Sequence, residues 1–188
     1  MKPAYLACAF LLSGCATHQY AYLDLIQSGT AIEGSLYSAE VPRASPDDTR
    51  QWERYRRDGK PGDLVLKHSE GTVLPSYAAS IEVRKRVAAI GSLDDLKKHV
   101  ARYPEYPHPA EFPTSQPGLL CVRPAVWIDA APEKPNGFFA HTLLCVDAET
   151  DLSYDLKVSY MTARKGEDPP DDLAGLADHF FERFRVKR

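Results

Sequence analysis

Four cysteines and six histidines are the side chains of this 188-residue chain best suited to nucleophilic or metal chemistry. The histidines stand at positions 18, 68, 99, 108, 141 and 179. None is four residues from another, so no helix face can present the two imidazoles of a helical zinc site. His141 comes four residues before Cys145. In a strand the two side chains share a face but sit about 13 Å apart at ~3.3 Å per residue, too far for a thiolate–imidazole couple. Glu167, Asp168, Asp171 and Asp172 form an acidic cluster without the alternating, glycine-containing spacing of a calcium loop. They read as the charged start of a helix. The chain has no G-x-S-x-G, H-E-x-x-H, C-x-x-C or glycine-rich phosphate loop. No catalytic residue, metal or cofactor is therefore expected, and the cysteines serve attachment and cross-linking instead.

Attachment is the role of the second cysteine. Residues 1–14, MKPAYLACAFLLSG, carry one basic side chain, Lys2, and then an apolar run from Ala4 to Leu12. A run of about nine residues suits the hydrophobic region of an export signal and falls short of the ~20 that span a bilayer. A buried N-terminal helix is the other reading. The run ends in Leu12-Ser13-Gly14-Cys15, which resembles the lipobox of bacterial lipoproteins. In that family two small residues let the extended chain enter a peptidase site, and the cysteine thiol accepts a diacylglycerol before cleavage. The resemblance covers residues 1–15 and says nothing about the fold beyond them. It implies a mature protein that starts at Cys15, has a short tether over 15–19 and is held to a membrane by acyl chains. Two or more such chains anchor stably where one does not. In enterobacterial lipoproteins an aspartate after the cysteine favours the inner membrane, so the resemblance, with Ala16 in that place, implies the periplasmic face of the outer membrane.

Loss of residues 1–14 leaves 174 residues, enough for one globular domain over 20–188. It also removes one lysine, so the net charge of −3 becomes −4. Such a balance argues against a nucleic-acid partner, which calls for a basic excess. A hydrophobic fraction of 44% permits a proper core.

With Cys8 in the signal and Cys15 acylated, Cys121 and Cys145 remain. Each lies in a copy of LLCV, within GLLCVRPAVWIDA and FFAHTLLCVDA, and the turn-rich APEKPNG separates the two. A symmetric hairpin centred on residue 133 pairs Ala130 with Asn136 and Cys121 with Cys145. Facing Cβ atoms then lie ~4.5–5.5 Å apart, close to what a disulfide needs. An oxidising compartment favours the bridge. The alternative is two buried free cysteines acting as small apolar residues.

The elements that would carry these residues follow from patterning. Residues 18–26 and 31–41 read as a first hairpin. Ser45-Pro46-Asp47-Asp48 reads as a helix start, with the helix running to about Arg57 and presenting Trp52 and Tyr55. Residues 64–68 and 80–90 read as strands, the second also compatible with helix. Ser92 with Asp95 makes a capping box for a helix to about Arg102. Residues 103–118 hold five prolines and resist regular structure. Strands over 119–130, 138–148 and 152–163 form a meander. A last helix has Leu173, Leu176, Ala177, Phe180 and Phe184 as its apolar stripe. Arg183, Arg185, Lys187 and Arg188 follow at the helix's negative end. The expected class is α+β: an antiparallel sheet with helices on one face, ending in a meander and an amphipathic helix.

Tyr103, Tyr106 and Phe112 in the proline-rich stretch offer a binding surface, or else tack a rigid connector onto the core. Trp52 among the arginines of RQWERYRRDGK, and Trp127 with Asp129, are further candidate patches; core packing is the plainer reading of both. The first functional expectation is a lipid-anchored envelope protein that binds another protein, such as an immunity protein facing a basic effector or an assembly accessory. The second is a periplasmic hydrolase or cell-wall enzyme with a site built from distant residues. A carrier of lipid or another small ligand, which requires a large apolar cavity, is the third.

Overall fold

Alternation of buried and solvated residues dominates the middle and end of the chain, and strands result. In the run from Ser153 to Tyr160, Tyr154, Leu156, Val158 and Tyr160 are buried while Asp155 and Lys157 face the other way. Tyr77, Ala79 and Ile81 repeat the pattern, as a sheet with one fully packed face requires. The computed structural model describes residues 20–60, 62–70, 75–86, 89–106, 108–129 and 134–188. Cys15, the signal segment 1–14 and the tether 15–19 lie outside the described residues.

Strands and helices follow in the order β1 Tyr20–Gln27, β2 Ala31–Glu33, β3 Tyr37–Glu40, β4 Gln51–Arg57, β5 Leu64–Ser69, β6 Ser76–Lys85 and α1 Leu93–Val100. Then come β7 Ala110–Glu111, β8 Leu119–Arg123, β9 Trp127–Asp129, β10 Phe138–Asp147, β11 Leu152–Met161, α2 Leu173–Glu182 and β12 Arg185–Val186. Among the described residues, nine strands form one antiparallel sheet in the order β1-β4-β5-β6-β11-β10-β8-β7, with β9 also on β10. A three-stranded sheet, β12-β3-β2, stands beside it. The described residues are thus mostly antiparallel sheet with two helices, in keeping with an α+β class.

The helices lie on opposite faces of the large sheet, not on one as the sequence led us to expect. α2 packs Leu173, Leu176, Phe180 and Phe181 into the main core with Cys121, Leu143, Cys145 and Leu156. α1 packs Leu96 and Val100 onto Val122 and Val146, with Leu120 and Leu144 alongside. Of β10, Leu143 and Cys145 join the α2 side and Leu144 and Val146 the α1 side. Every residue in LLCV is apolar, so β8 and β10 are apolar on both faces and each face attracts a helix.

Three further expectations give way. Residues 45–57 are not a helix. Ser45-Pro46-Asp47-Asp48 closes a turn in which Asp48 accepts from the Ala44 amide at 2.9 Å and the Arg50 amide at 3.0 Å, and β4 follows. The hairpin of 18–26 with 31–41 does not form: β1 pairs with β4, and residues 31–41 fold on themselves as β2 and β3. Residues 119–130 split into β8 and β9 around Pro124, which has no amide to donate to a ladder. Ser92 caps α1, its Oγ accepting from the Asp95 amide at 3.2 Å and donating to the Asp95 carboxylate at 2.7 Å.

The C-terminal basic residues clamp this chain. Arg188 meets Asp147 and Glu149, each at 3.0 Å, and Lys187 meets Glu33 at 2.5 Å. Arg185 donates to the Glu182 and Phe184 carbonyls at the end of α2. Asp147 is fully buried. Burial alone would raise its carboxyl, but the Glu149 amide, Thr150 and Arg188 outweigh burial and lower it.

Candidate functional site

The second face of the sheet carries the candidate site. α1 covers its β8–β10 end, and the turn that follows the helix folds back over β11. A cleft of about 480 Å³ lies between them. Ile90, Leu96, Val100, Leu144 and Val146 give it apolar walls, and Tyr103, Tyr106 and His99 stand at the helix side. Local sequence explains the placement. The Ser92 cap starts α1, and two backbone bonds continue the turn after it, Tyr103 N to Val100 O at 3.0 Å and Tyr106 N to Tyr103 O at 2.9 Å. These bonds set the two tyrosine rings edge-on, with centroids 6.4 Å apart, and Tyr103 likewise meets His99 at 5.7 Å.

Asp155 is the cleft's chemically distinctive residue. It sits on β11 opposite Leu144 of β10 and Glu82 of β6, on the face away from the main core. Its Oδ1 is buried with no hydrogen-bond partner among the described residues. Lys157, Arg84 and the Tyr106 hydroxyl are close enough to act on the carboxyl. Burial, the largest influence, pushes it above the ordinary value despite the pull of Lys157 and Arg84. The Tyr106 hydroxyl is also raised, by burial and then by Asp155. The neighbouring arginines are engaged elsewhere. Arg84 binds Glu82 at 2.6 Å, and Arg86 reaches the Ile90 carbonyl at 3.1 Å and Asp151 at 3.6 Å. Ser153, a hydroxyl at the cleft's edge, donates to the Arg84 carbonyl at 3.4 Å.

A buried carboxyl raised in the fold binds more protons folded than unfolded, so stability falls as pH rises from the unfolded value of 3.8 through the folded one. Asp155→Asn is therefore expected to raise the melting temperature at pH 7 by about 2–4 °C, what roughly 1 kcal/mol does in a chain of this size. The gain should vanish near pH 3.5. Thermal denaturation of both proteins at the two pH values checks this, and a variant less stable at pH 7 would contradict it.

Not all the residues singled out from sequence meet here. Tyr103 and Tyr106 wall the cleft. Phe112 lies across the sheet, its ring edge-on to Phe181 of α2 at 6.3 Å, beside a smaller hollow of about 200 Å³. The proline-rich stretch therefore crosses from one face to the other, and β7 joins it to β8. Trp52 is not at a surface: it is fully buried in the main core and its indole N–H donates to Ser28 Oγ at 3.0 Å. Trp127 rests on Phe138 with centroids 5.3 Å apart.

Cys121 and Cys145 are joined by a disulfide, Cα atoms 4.2 Å apart, at directly opposed positions of β8 and β10. His141 is occupied on the α2 face: Arg123 stands 3.1 Å from its Nδ1 and is paired to Asp178. Burial and then Arg123 lower this imidazole, against a smaller opposing pull from Asp178. Asp172, one of the four acids read as the charged start of a helix, stands at the start of α2 but makes no capping bond; it accepts from Arg50 and the Tyr77 hydroxyl instead.

Sequence reasoning missed Asp155. Its only signal was a carboxylate at an alternation position where Ser153 and Lys157 also face away from the core. Among the described residues no cluster of three or more histidine, cysteine or acidic side chains is arranged to hold a metal, and no helix is long and apolar enough to cross a membrane. No protein-family model matches this chain, and no curated protein matches it in sequence.

Proposed function

We propose that the chain is a lipoprotein of the bacterial envelope, acylated at Cys15 and held on the periplasmic face of the outer membrane, which acts by binding another protein through the cleft beneath α1. The observation that carries the binding half is the Asp155 oxygen without a partner in a cleft walled by Tyr103 and Tyr106. A buried polar atom left unpaired in the free protein costs stability, and a partner's donor recovers that cost on binding. The anchoring half rests on Leu12-Ser13-Gly14-Cys15 and on the short run 16–19 between that cysteine and the first strand. The disulfide suits an oxidising compartment. In this reading the C-terminal meander of β8, β10 and β11, with its amphipathic helix, is the stiff support for the cleft floor. A net charge of −4 without the signal suits a basic partner, as for an immunity protein against an antibacterial effector; an envelope-assembly accessory uses the same surface.

Two measurements test the two halves separately. Radiolabelled palmitate should label the full chain and place it in the membrane fraction, and Cys15→Ser should abolish both; equal labelling of the variant overturns the anchor. Affinity capture from envelope extracts with the domain from residue 20 onward should retain a stoichiometric protein that Asp155→Asn loses. Equal capture by the variant overturns the cleft as the binding surface. Turnover of a cell-wall or lipid substrate by the same domain would replace binding with hydrolysis.

A further inference from the structure

We infer that the cleft beneath α1 receives a single lysine or arginine side chain from a protein partner. Its aliphatic stem would lie against Ile90, Leu96, Val100, Leu144 and Val146, and its cationic head at Asp155 Oδ1 under the Tyr106 ring. The inference deepens the binding reading above and does not depend on the lipid anchor.

The shape of the chemistry selects this occupant. Long basic side chains combine an apolar stem with a charged tip, so they bury the one while requiring a partner for the other. The cleft offers both parts: apolar walls, and among the residues that line it Asp155, whose buried Oδ1 lacks a partner. Aromatic faces at the mouth attract a cation on its way in, and Tyr103 is 45% exposed there.

Arg84, Lys85 and Arg86 line the cleft together with Asp155 and Glu105, and two of the three cations are engaged. Arg84 is taken up by Glu82 and Arg86 by Asp151 and the Ile90 carbonyl. Lys157, two residues along β11, acts on Asp155 from a distance. Glu105 adds a second carboxylate to the lining. An anionic ligand would have to compete with Glu82 and Asp151 for the arginines and would lie beside Asp155. A neutral apolar ligand would leave Oδ1 buried and unpaired. A cation satisfies the oxygen, and its approach brings the carboxyl back toward the ionised form.

The test uses acetyl-Gly-Arg-Gly-amide against the same peptide with citrulline, which keeps the shape and removes the charge, and with glutamate, which reverses it. Titrations are followed by amide resonances of the folded domain at pH 7. The arginine peptide is expected to bind in the millimolar range, typical for a fragment of this size, and to shift resonances of Ile90, Tyr106, Leu144 and Val146. The citrulline and glutamate peptides should bind at least tenfold more weakly. Asp155→Asn, which is expected to fold at least as stably as the parent, should weaken the arginine peptide to the citrulline level. Raised salt should leave much of the preference, since the pair is sheltered.

Equal binding of arginine and citrulline peptides overturns the inference, as does undiminished arginine binding by Asp155→Asn, or shifts that map elsewhere. If the captured partner still depends on Asp155 while the arginine peptide shows no preference, the binding reading stands and the basic side chain alone is rejected. If the partner does not depend on Asp155, the binding reading itself fails.

Discussion

Trp52→Ala is expected to cost about 4 kcal/mol of folding stability, within the range for removing a large aromatic from a packed core. Trp52 is the largest side chain of the fully buried set. It stands where four elements meet. Its ring lies 6.4 Å from Tyr77 of β6 and 5.8 Å from His68 of β5, and Tyr77 in turn stacks edge-on against Tyr160 of β11 at 4.7 Å. The indole N–H ties β4 to Ser28 just after β1. Alanine would leave a cavity that strands held in register cannot collapse around, and it would orphan the Ser28 hydroxyl. Trp52→Phe keeps most of the apolar contact and should cost roughly 1–2 kcal/mol, and Ser28→Ala about 1 kcal/mol. Urea unfolding followed by far-ultraviolet circular dichroism measures all three, because the chain has only two tryptophans and fluorescence baselines would change. A loss below 1 kcal/mol in Trp52→Ala would show that the ring is not the keystone between β4 and β6.

The same residue shows where local reasoning stops. Ser45-Pro46-Asp47-Asp48 has good helix-start chemistry, and Gln51 to Arg57 are tolerable in a helix. What decides against it lies elsewhere in the chain: β1 and β5 supply partners on both sides of residues 51–57. In a strand Trp52 faces the core, while Glu53 and Tyr55 face the other way. A helix would have had only two apolar residues to bury. Competition between a weak local preference and a two-sided ladder is settled by tertiary pairing. The hairpin of 18–26 with 31–41 fails for the same reason, since β4, more distant in sequence, offers β1 a longer ladder.

Elements with redundant signals were legible. Ser92 and Asp95 announce α1, and the five-residue apolar stripe announces α2. The two LLCV segments announce their own pairing, because two identical strands about a turn have one symmetric register. Nearer the turn that register moves by one: Phe138 meets Asp129 where strict symmetry places Ile128. Pro124 and the irregular residues after it absorb the difference. Of the candidate site, Tyr103 and Tyr106 were legible as aromatics in a stretch too proline-rich for regular structure. Asp155 was not, because its importance comes from Leu144, Glu82 and α1, three parts of the chain that meet only after the strands are ordered. Phe112 shares the stretch with the tyrosines yet serves the other face, a separation produced by the two-residue strand β7.

Reduction of the Cys121–Cys145 bridge, or its replacement by two alanines, is expected to cost about 3 kcal/mol, the chain-entropy value for a closed loop of this length. The bridge spans 24 positions of sequence and joins β8 to β10 near the edge of the large sheet, where only the two-residue β7 lies beyond β8. Its removal therefore loosens a strand that, among the described residues, has a long partner on one side only. β8 also carries Leu120 and Val122, onto which α1 packs, so the loss should reach the cleft. Faster amide exchange is expected in β8 and α1, with β6 and β11 protected until global unfolding. The melting temperature should fall by about 6–12 °C on the scaling for a chain of this size. The fully reduced parent and the double alanine variant should agree within the cost of two small side-chain truncations. Agreement of the reduced parent with the oxidised one, after thiol counting shows both cysteines free, would mean that β8 is held by packing alone. A bridge that sets the stability of β8 also makes the cleft dependent on oxidation: its floor is held firm in an oxidising solution and loosened in a reducing one.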